Sequence, residues 1–258
     1  MSASLQQCLL YSQNSLKDPH LVARLLDRSS IGQNDVVYEI GPGTGIITAQ
    51  LALRSKQVVA IEKDARLAAL LRERFVSRPT VTIHTSDFLR YPLPQKPYKV
   101  FANIPFTITT AIVTRLTAAE YPPEDAYLAM QKEAAERFLG KPHESLYAVL
   151  LKPWFELEVV HCFRREDFVP EPGVDVVMLR LHKRGPPLVK RADRQRFRDF
   201  VVYGFTTRRP TLGSILKGVF SGQQLKHMSR ELGFALDATP TLLTFEQWLN
   251  IFEHFKQV

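Results

Sequence analysis

The sequence predicts an α/β fold, a mainly parallel sheet with helices on both faces, followed by a small C-terminal helical domain. Three observations predict it. Short β-rich runs, Val36-Val37-Tyr38-Glu39-Ile40, Val58-Val59-Ala60-Ile61, Val81-Thr82-Ile83 and Lys99-Val100-Phe101-Ala102, alternate with segments of helical periodicity. Parallel neighbours need crossover connections, and the alternation supplies them. A glycine-rich turn follows the first run, in a class of fold that binds ligands at the carboxyl ends of its strands. After Gly185-Pro186-Pro187 the apolar spacing becomes helical, through Phe197, Phe200, Val201 and Phe205, then Leu225, Met228 and Leu232.

The remaining elements follow in order. Ala126 to Met130 reads as a fifth strand and Lys132 to Leu139 as a helix. Trp154 to Phe163 and Val176 to His182 are long apolar-rich runs joined by a Pro-containing loop, which suits an antiparallel pair closing the sheet at its edge. The domain boundary is expected between residues 184 and 185, giving an α/β domain over 1–184 and a helical domain over 185–258.

Composition narrows the class of protein. With 45% hydrophobic and 23% charged residues and no apolar run near the roughly 18 residues of a span, no membrane role is expected. The N-terminus shows no basic-then-apolar signal, and Cys8 and Cys162 lie far apart without metal-like spacing. Two free thiols in a cytoplasmic protein that uses no metal is the resulting expectation. The net charge of +8 is concentrated late: from Gly185 onward eleven Lys or Arg face six Asp or Glu, so +5 lies there. That balance favours a polyanionic partner, with a merely solvated helical surface as the alternative.

Candidate cofactor residues sit at strand ends. Glu39-Ile40-Gly41-Pro42-Gly43-Thr44-Gly45 has the G-x-G-x-G spacing, whereas a dinucleotide fingerprint would place its third glycine at Ile46. That spacing resembles the first motif of adenosylmethionine-binding methyltransferases. Glu62 ends the second strand, where a carboxylate can accept from both ribose hydroxyls, and Asp87 follows the third, where it can accept from an adenine amine. The turn by itself could be an ordinary tight turn; Gly41, Gly43, Glu62 and Asp87 together form the stronger signal.

Asn103-Ile104-Pro105-Phe106 ends the fourth strand and points to the reaction. The amine of adenine is a poor nucleophile because its lone pair is delocalised into the ring, so a catalyst must favour the localised, tetrahedral form. The Asn103 side-chain oxygen and the Ile104 carbonyl, held extended by Pro105, can each take one amine hydrogen. Phe106 would stack on a base rotated out of its helix or loop. The plainer alternative is an Asn-Pro turn with a core phenylalanine.

These motifs together resemble the ribosomal RNA adenine N6-methyltransferase family, which includes the Erm and KsgA/Dim1 enzymes. The resemblance implies a class I Rossmann-like methyltransferase with a mainly parallel seven-stranded sheet, using S-adenosyl-L-methionine, in a cytoplasmic monomer. It carries over Asn14 and Leu16, from Gln13-Asn14-Ser15-Leu16, as cofactor contacts beside Gly41, Glu62, Asp87 and Asn103. Ser15 departs from the family pattern, which usually has an aromatic there. Phe168-Val169-Pro170-Glu171-Pro172-Gly173-Val174-Asp175 resembles the loop whose phenylalanine takes the other face of the flipped base, so Phe106 and Phe168 would sandwich it. The alternative is a Pro-rich edge connection with a buried Phe168.

Ile104, Gln131-Lys132-Glu133 and Phe245-Glu246-Gln247-Trp248-Leu249-Asn250-Ile251-Phe252 look closer to the Erm branch. That branch implies large-subunit (23S) ribosomal RNA, protein-free or partly assembled, as partner, and resistance to macrolides, lincosamides and streptogramin B as the consequence. Three alternatives stay open. A KsgA/Dim1-like enzyme would act on small-subunit RNA, a methyltransferase-like factor would only bind nucleic acid, and a nicotinamide-dependent dehydrogenase is disfavoured by the glycine spacing.

Overall fold

A computed structural model describes residues 14–257. They gather into two compact units. The first runs to Ala135 and resumes over Leu157–Lys183; the second is Glu136–Glu156 with the chain from Arg184 onward. The grouping differs from the expected single boundary by one segment, 136–156, which sides with the C-terminal helices. The reason is apolar packing: Val149, with Leu146, Leu150 and Trp154, belongs to the same core cluster as Phe200 and Trp248.

The chain opens with β1 (Ser15–Leu16) and α1 (Pro19–Asp27). Asp18 starts α1 by accepting from the His20 amide at 2.8 Å, and Pro19 supplies a φ already suited to the first turn. The alternation follows as β2 (Val36–Ile40), α2 (Ile46–Leu51), β3 (Gln57–Glu62), α3 (Ala65–Arg74), β4 (Val81–Thr85), β5 (Lys99–Asn103), α4 (Thr109–Ala118) and β6 (Asp125–Gln131). Next come α5 (Lys132–Leu139), α6 (Leu146–Leu151), β7 (Phe155–Cys162), β8 (Phe168–Val169) and β9 (Val176–Lys183). Helices α7 (Arg194–Thr206), α8 (Leu212–Leu216), α9 (Gly222–Leu232) and α10 (Phe245–Phe255) complete the second unit.

Seven strands form one sheet in the order β4-β3-β2-β5-β6-β9-β7. The pairs among β4, β3, β2, β5 and β6 are parallel, and β9 runs antiparallel to β6. The closing pair is therefore an insertion, with β9 between β6 and the outermost β7. Central strands are apolar on both faces: every residue of β6 except Gln131 is buried. Strand order reverses between β2 and β5, which makes the crevice at their carboxyl ends the natural place for a ligand. In the second unit, fully buried Trp248 and Phe252 anchor the helices, and the Trp248 indole N–H donates to the Pro240 carbonyl at 3.2 Å.

Gly45 caps α2 with φ 77°. A Cβ there would lie 2.7 Å from Leu71 Cδ2 and 3.0 Å from Phe75 Cε2, so α3 closes directly over the loop. Gly45→Ala is expected to cost about 1–3 kcal/mol from backbone strain and contact together. Urea denaturation measures it, and an unchanged midpoint would show that loop and helix are not rigidly packed.

Candidate active site

The glycine loop leaves β2 through three left-handed residues, Gly41, Gly43 and Gly45, with φ of 64°, 53° and 77°. Only glycine adopts this sequence of angles without cost. The Gly41 amide donates to the Ile61 carbonyl at 3.0 Å, and the Gly43 amide to Glu62 Oε2 at 3.3 Å. Glu62 Oε1 accepts from the Asp64 amide at 2.9 Å. Two backbone donors thus fix the carboxylate while leaving lone pairs on both oxygens. Glu62 stands where the sequence places a ribose acceptor.

Asp87 is also positioned by backbone, its Oδ1 accepting from the Leu89 amide at 2.9 Å, but its Oδ2 forms an ion pair with Lys63 at 3.0 Å. The Leu89 amide and the Lys63 ammonium hold its pKa below the ordinary carboxylate range. The acceptor foreseen for an adenine amine is therefore shared with a lysine that the sequence reading did not connect to it.

The N-terminal segment lies beside the same loop. Ser15 Oγ is 3.7 Å from the position a Gly43 Cβ would take, and β1 pairs antiparallel with β8, Ser15 opposite Val169 and Leu16 opposite Phe168. Asn14 Nδ2 donates to the Pro170 carbonyl at 3.0 Å. Leu16 is buried in the core cluster with Phe101 and Phe168. Gln13 and Cys8 lie outside the described residues, and Cys162 is a free, exposed thiol.

Asn103 supplies the most informative contact. Its Nδ2 donates to the Asn14 carbonyl at 2.6 Å, while its Oδ1 is buried without a hydrogen-bond partner. A carbonyl can only accept, so the amide must turn its nitrogen to Asn14 and its oxygen away. The Ile104 amide, in a residue 2% exposed, donates to the Ala129 carbonyl at 3.2 Å, and Pro105 follows with φ −59°. Phe106 opens a short turn, half-buried against the core.

Phe168 departs from the expected sandwich. It is 0% exposed, its ring meets Phe163 edge-on at 5.2 Å, and its backbone is paired with Leu16. Pairing with β1 places that side chain in the core, so of the two expected rings Phe106 alone is partly open.

Glu39 belongs to the glycine motif, yet the sequence gives it no role. It is 1% exposed at the end of β2, its Oε2 accepts from the Thr48 hydroxyl at 2.6 Å, and its Oε1 has no partner. Burial pushes its pKa up to about 8, opposed by the Thr48 hydrogen bond and reinforced by Glu62. The available signal was a carboxylate inside an apolar central strand directly before the glycines.

Asn103 Oδ1, a buried acceptor without a partner, and the unpartnered Glu39 Oε1 flank the strand-order reversal, and the first suits a ligand that carries N–H donors. S-Adenosylmethionine, whose ammonium group donates N–H, fits that acceptor. The sheet and this loop define a class I Rossmann-like methyltransferase. The ribosomal RNA adenine dimethylase profile matches residues 7–257, and the chain belongs to that family. It is accordingly an S-adenosylmethionine-dependent rRNA adenine methyltransferase. Among relatives, it is 28% identical over 248 residues to an rRNA adenine N-6-methyltransferase of Bacillus licheniformis, covering 95% of this chain and 86% of the relative. It is 35% identical over 222 residues to a ribosomal RNA small subunit methyltransferase A of Bacillus mycoides, covering 81% and 76%. Among solved structures, the 23S rRNA methyltransferase ErmE is similar with a TM-score of 0.85 and 32% identity, over 95% of this chain and 100% of that one.

The sign of the Glu39 shift gives a pH prediction. The unfolded carboxyl ionises near 4.5 and the folded one near 8, so stability from the neutral form is complete below 4.5 and is lost as pH rises through 8. Glu39→Gln, neutral throughout, should flatten the fall of Tm across that window. Parallel Tm profiles for the two proteins would show that Glu39 ionises normally.

Proposed function

We propose that the chain transfers methyl groups from S-adenosylmethionine to the N6 amine of an adenine in 23S ribosomal RNA, giving resistance to macrolides, lincosamides and streptogramin B. The observation that carries the chemistry is the orientation of Asn103: its nitrogen is committed to Asn14, and its oxygen is the unpaired acceptor. When bound, S-adenosylmethionine supplies a methyl group activated by the attached sulfonium.

In this reading Asn103 Oδ1 and the Ile104 carbonyl each accept one amine hydrogen, which localises the nitrogen lone pair and aims it. Pro105 keeps the Ile104 carbonyl extended, and Phe106 stacks on the base. Gly41, Gly43, Glu62 and Asp87 hold the cofactor, with Asn14 and Leu16 fixing the segment beside it. Positioning of this kind needs no ionised side chain at the reacting nitrogen. The substrate is protein-free or partly assembled large-subunit RNA, met in the cytoplasm by a monomer. Likeness to ErmE over 95% of this chain and 100% of that one supports the 23S target.

A second reading, small-subunit RNA, is favoured by the 35% identity to a small-subunit enzyme. Incubating the protein with labelled S-adenosylmethionine and either naked large-subunit RNA or small subunits, then mapping the label, separates them. Label on large-subunit adenine is expected; label confined to small-subunit RNA overturns the 23S assignment.

The two phenylalanines should separate in the same assay. Phe106→Ala should slow methyl transfer by the roughly 1–3 kcal/mol of a base stack while leaving cofactor affinity and Tm nearly unchanged. Phe168→Ala should instead lower stability by about 3–5 kcal/mol through the cavity it leaves. A Phe106 variant as fast as wild type removes the stacking role.

A further inference from the structure

The second unit contains an open groove of about 560 Å³ whose lining includes Gln195, Arg196, Asp199, Phe200, Tyr203 and Phe255. Its volume falls within the range of small-ligand sites. Phe255 stacks on buried Phe200 at 4.8 Å with the planes 19° apart, and the Arg196 guanidinium lies 4.8 Å over the Phe255 ring. Arg196 Nη2 also donates to the Phe255 carbonyl at 3.1 Å, so the guanidinium is anchored over the aromatic pair. Beside it, Gln195 Nε2 donates to Asp199 Oδ1 at 2.8 Å. That bond uses one of the two Nε2 hydrogens, and the acceptors it leaves free are Asp199 Oδ2 and Gln195 Oε1.

The neighbourhood is cationic. Lys190, Arg191, Arg194, Arg196 and Arg198 fall within nine residues of one another. Burial, with the charges of Arg191 and Arg198, lowers the pKa of Arg194. A carboxylate kept inside such a cluster weakens attraction for a polyanion unless it makes a contact of its own.

We propose that this groove takes an unstacked guanine of the RNA substrate, stacked on Arg196 with its N1–H and N2–H donors on Asp199. The inference rests on the RNA-methyltransferase reading and adds a second base-reading site to it. Single-stranded RNA is read by stacking on aromatic or guanidinium planes together with hydrogen bonds to the Watson–Crick edge. Guanine alone among the four bases presents two adjacent donors there, which match an acceptor-only carboxylate. The surrounding cations hold the phosphates without selecting sequence.

The test uses the full chain and uridine-flanked oligonucleotides carrying one guanosine, inosine or adenosine, read by fluorescence anisotropy at fixed salt. Wild type should prefer guanosine by roughly tenfold, the scale of a two-point base contact. Asp199→Asn should lose that preference and bind the guanosine strand more weakly, although removing a negative charge would by electrostatics alone tighten RNA binding. Arg196→Ala should weaken all three strands. Asp199 is exposed, so its variant reports on binding and not on folding. Equal affinity for the three strands, or an Asp199→Asn variant that binds as tightly as wild type or more so, overturns the guanine site while the RNA reading stands. Absence of any RNA binding by wild type overturns both.

Discussion

One hydrogen bond organises the catalytic crevice: the Asn103 amide to the backbone carbonyl of Asn14. It ties the end of a central strand to the segment before α1, and it decides which way the amide faces. An acceptor stripped of water and left without a donor is costly, and among the described residues this fold leaves Asn103 Oδ1 in that state, with Glu39 Oε1 also unpartnered. Both sit where the parallel strand order reverses. A binding site prepared in this way has met part of its desolvation cost during folding, before any ligand arrives.

The electrostatics are correspondingly restrained. Glu39 is kept largely neutral by burial, Glu62 is held by two amides, and Asp87 is shared with Lys63. The site therefore offers oriented oxygen atoms more than net negative charge, which suits a reaction whose positive centre comes in with the cofactor. Any donor that approaches Asp87 must compete with the Lys63 ion pair, which is open to solvent and screened by salt.

The sequence made the local features legible and the long-range ones opaque. Strand and helix alternation, the glycine turn, and the acids at the ends of β3 and β4 are encoded within a few residues of one another. The span of α5 was readable for the same reason, from Lys132 to Leu139. The two-residue strands β1 and β8 carry no period to detect, so their pairing is not legible, although the burial of Phe168 that follows from it is the alternative that the prolines beside it already offered. Insertion of β9 between β6 and β7 is a matter of strand order, which local patterning does not specify. The Lys63–Asp87 pair and the neutral Glu39 depend on neighbours brought together only by folding.

The interleaved path of the chain limits how this molecule can be taken apart. Because residues 136–156 group with the C-terminal helices, the chain passes from one unit to the other three times. Cutting it at 184 would strip α6 and Trp154 of the apolar partners they share with Phe200 and Trp248. The shortened protein would carry a newly exposed greasy surface, the usual origin of insolubility in truncated proteins. Grafting the helical unit onto another methyltransferase, or exchanging it between relatives, requires transplanting two separate stretches together.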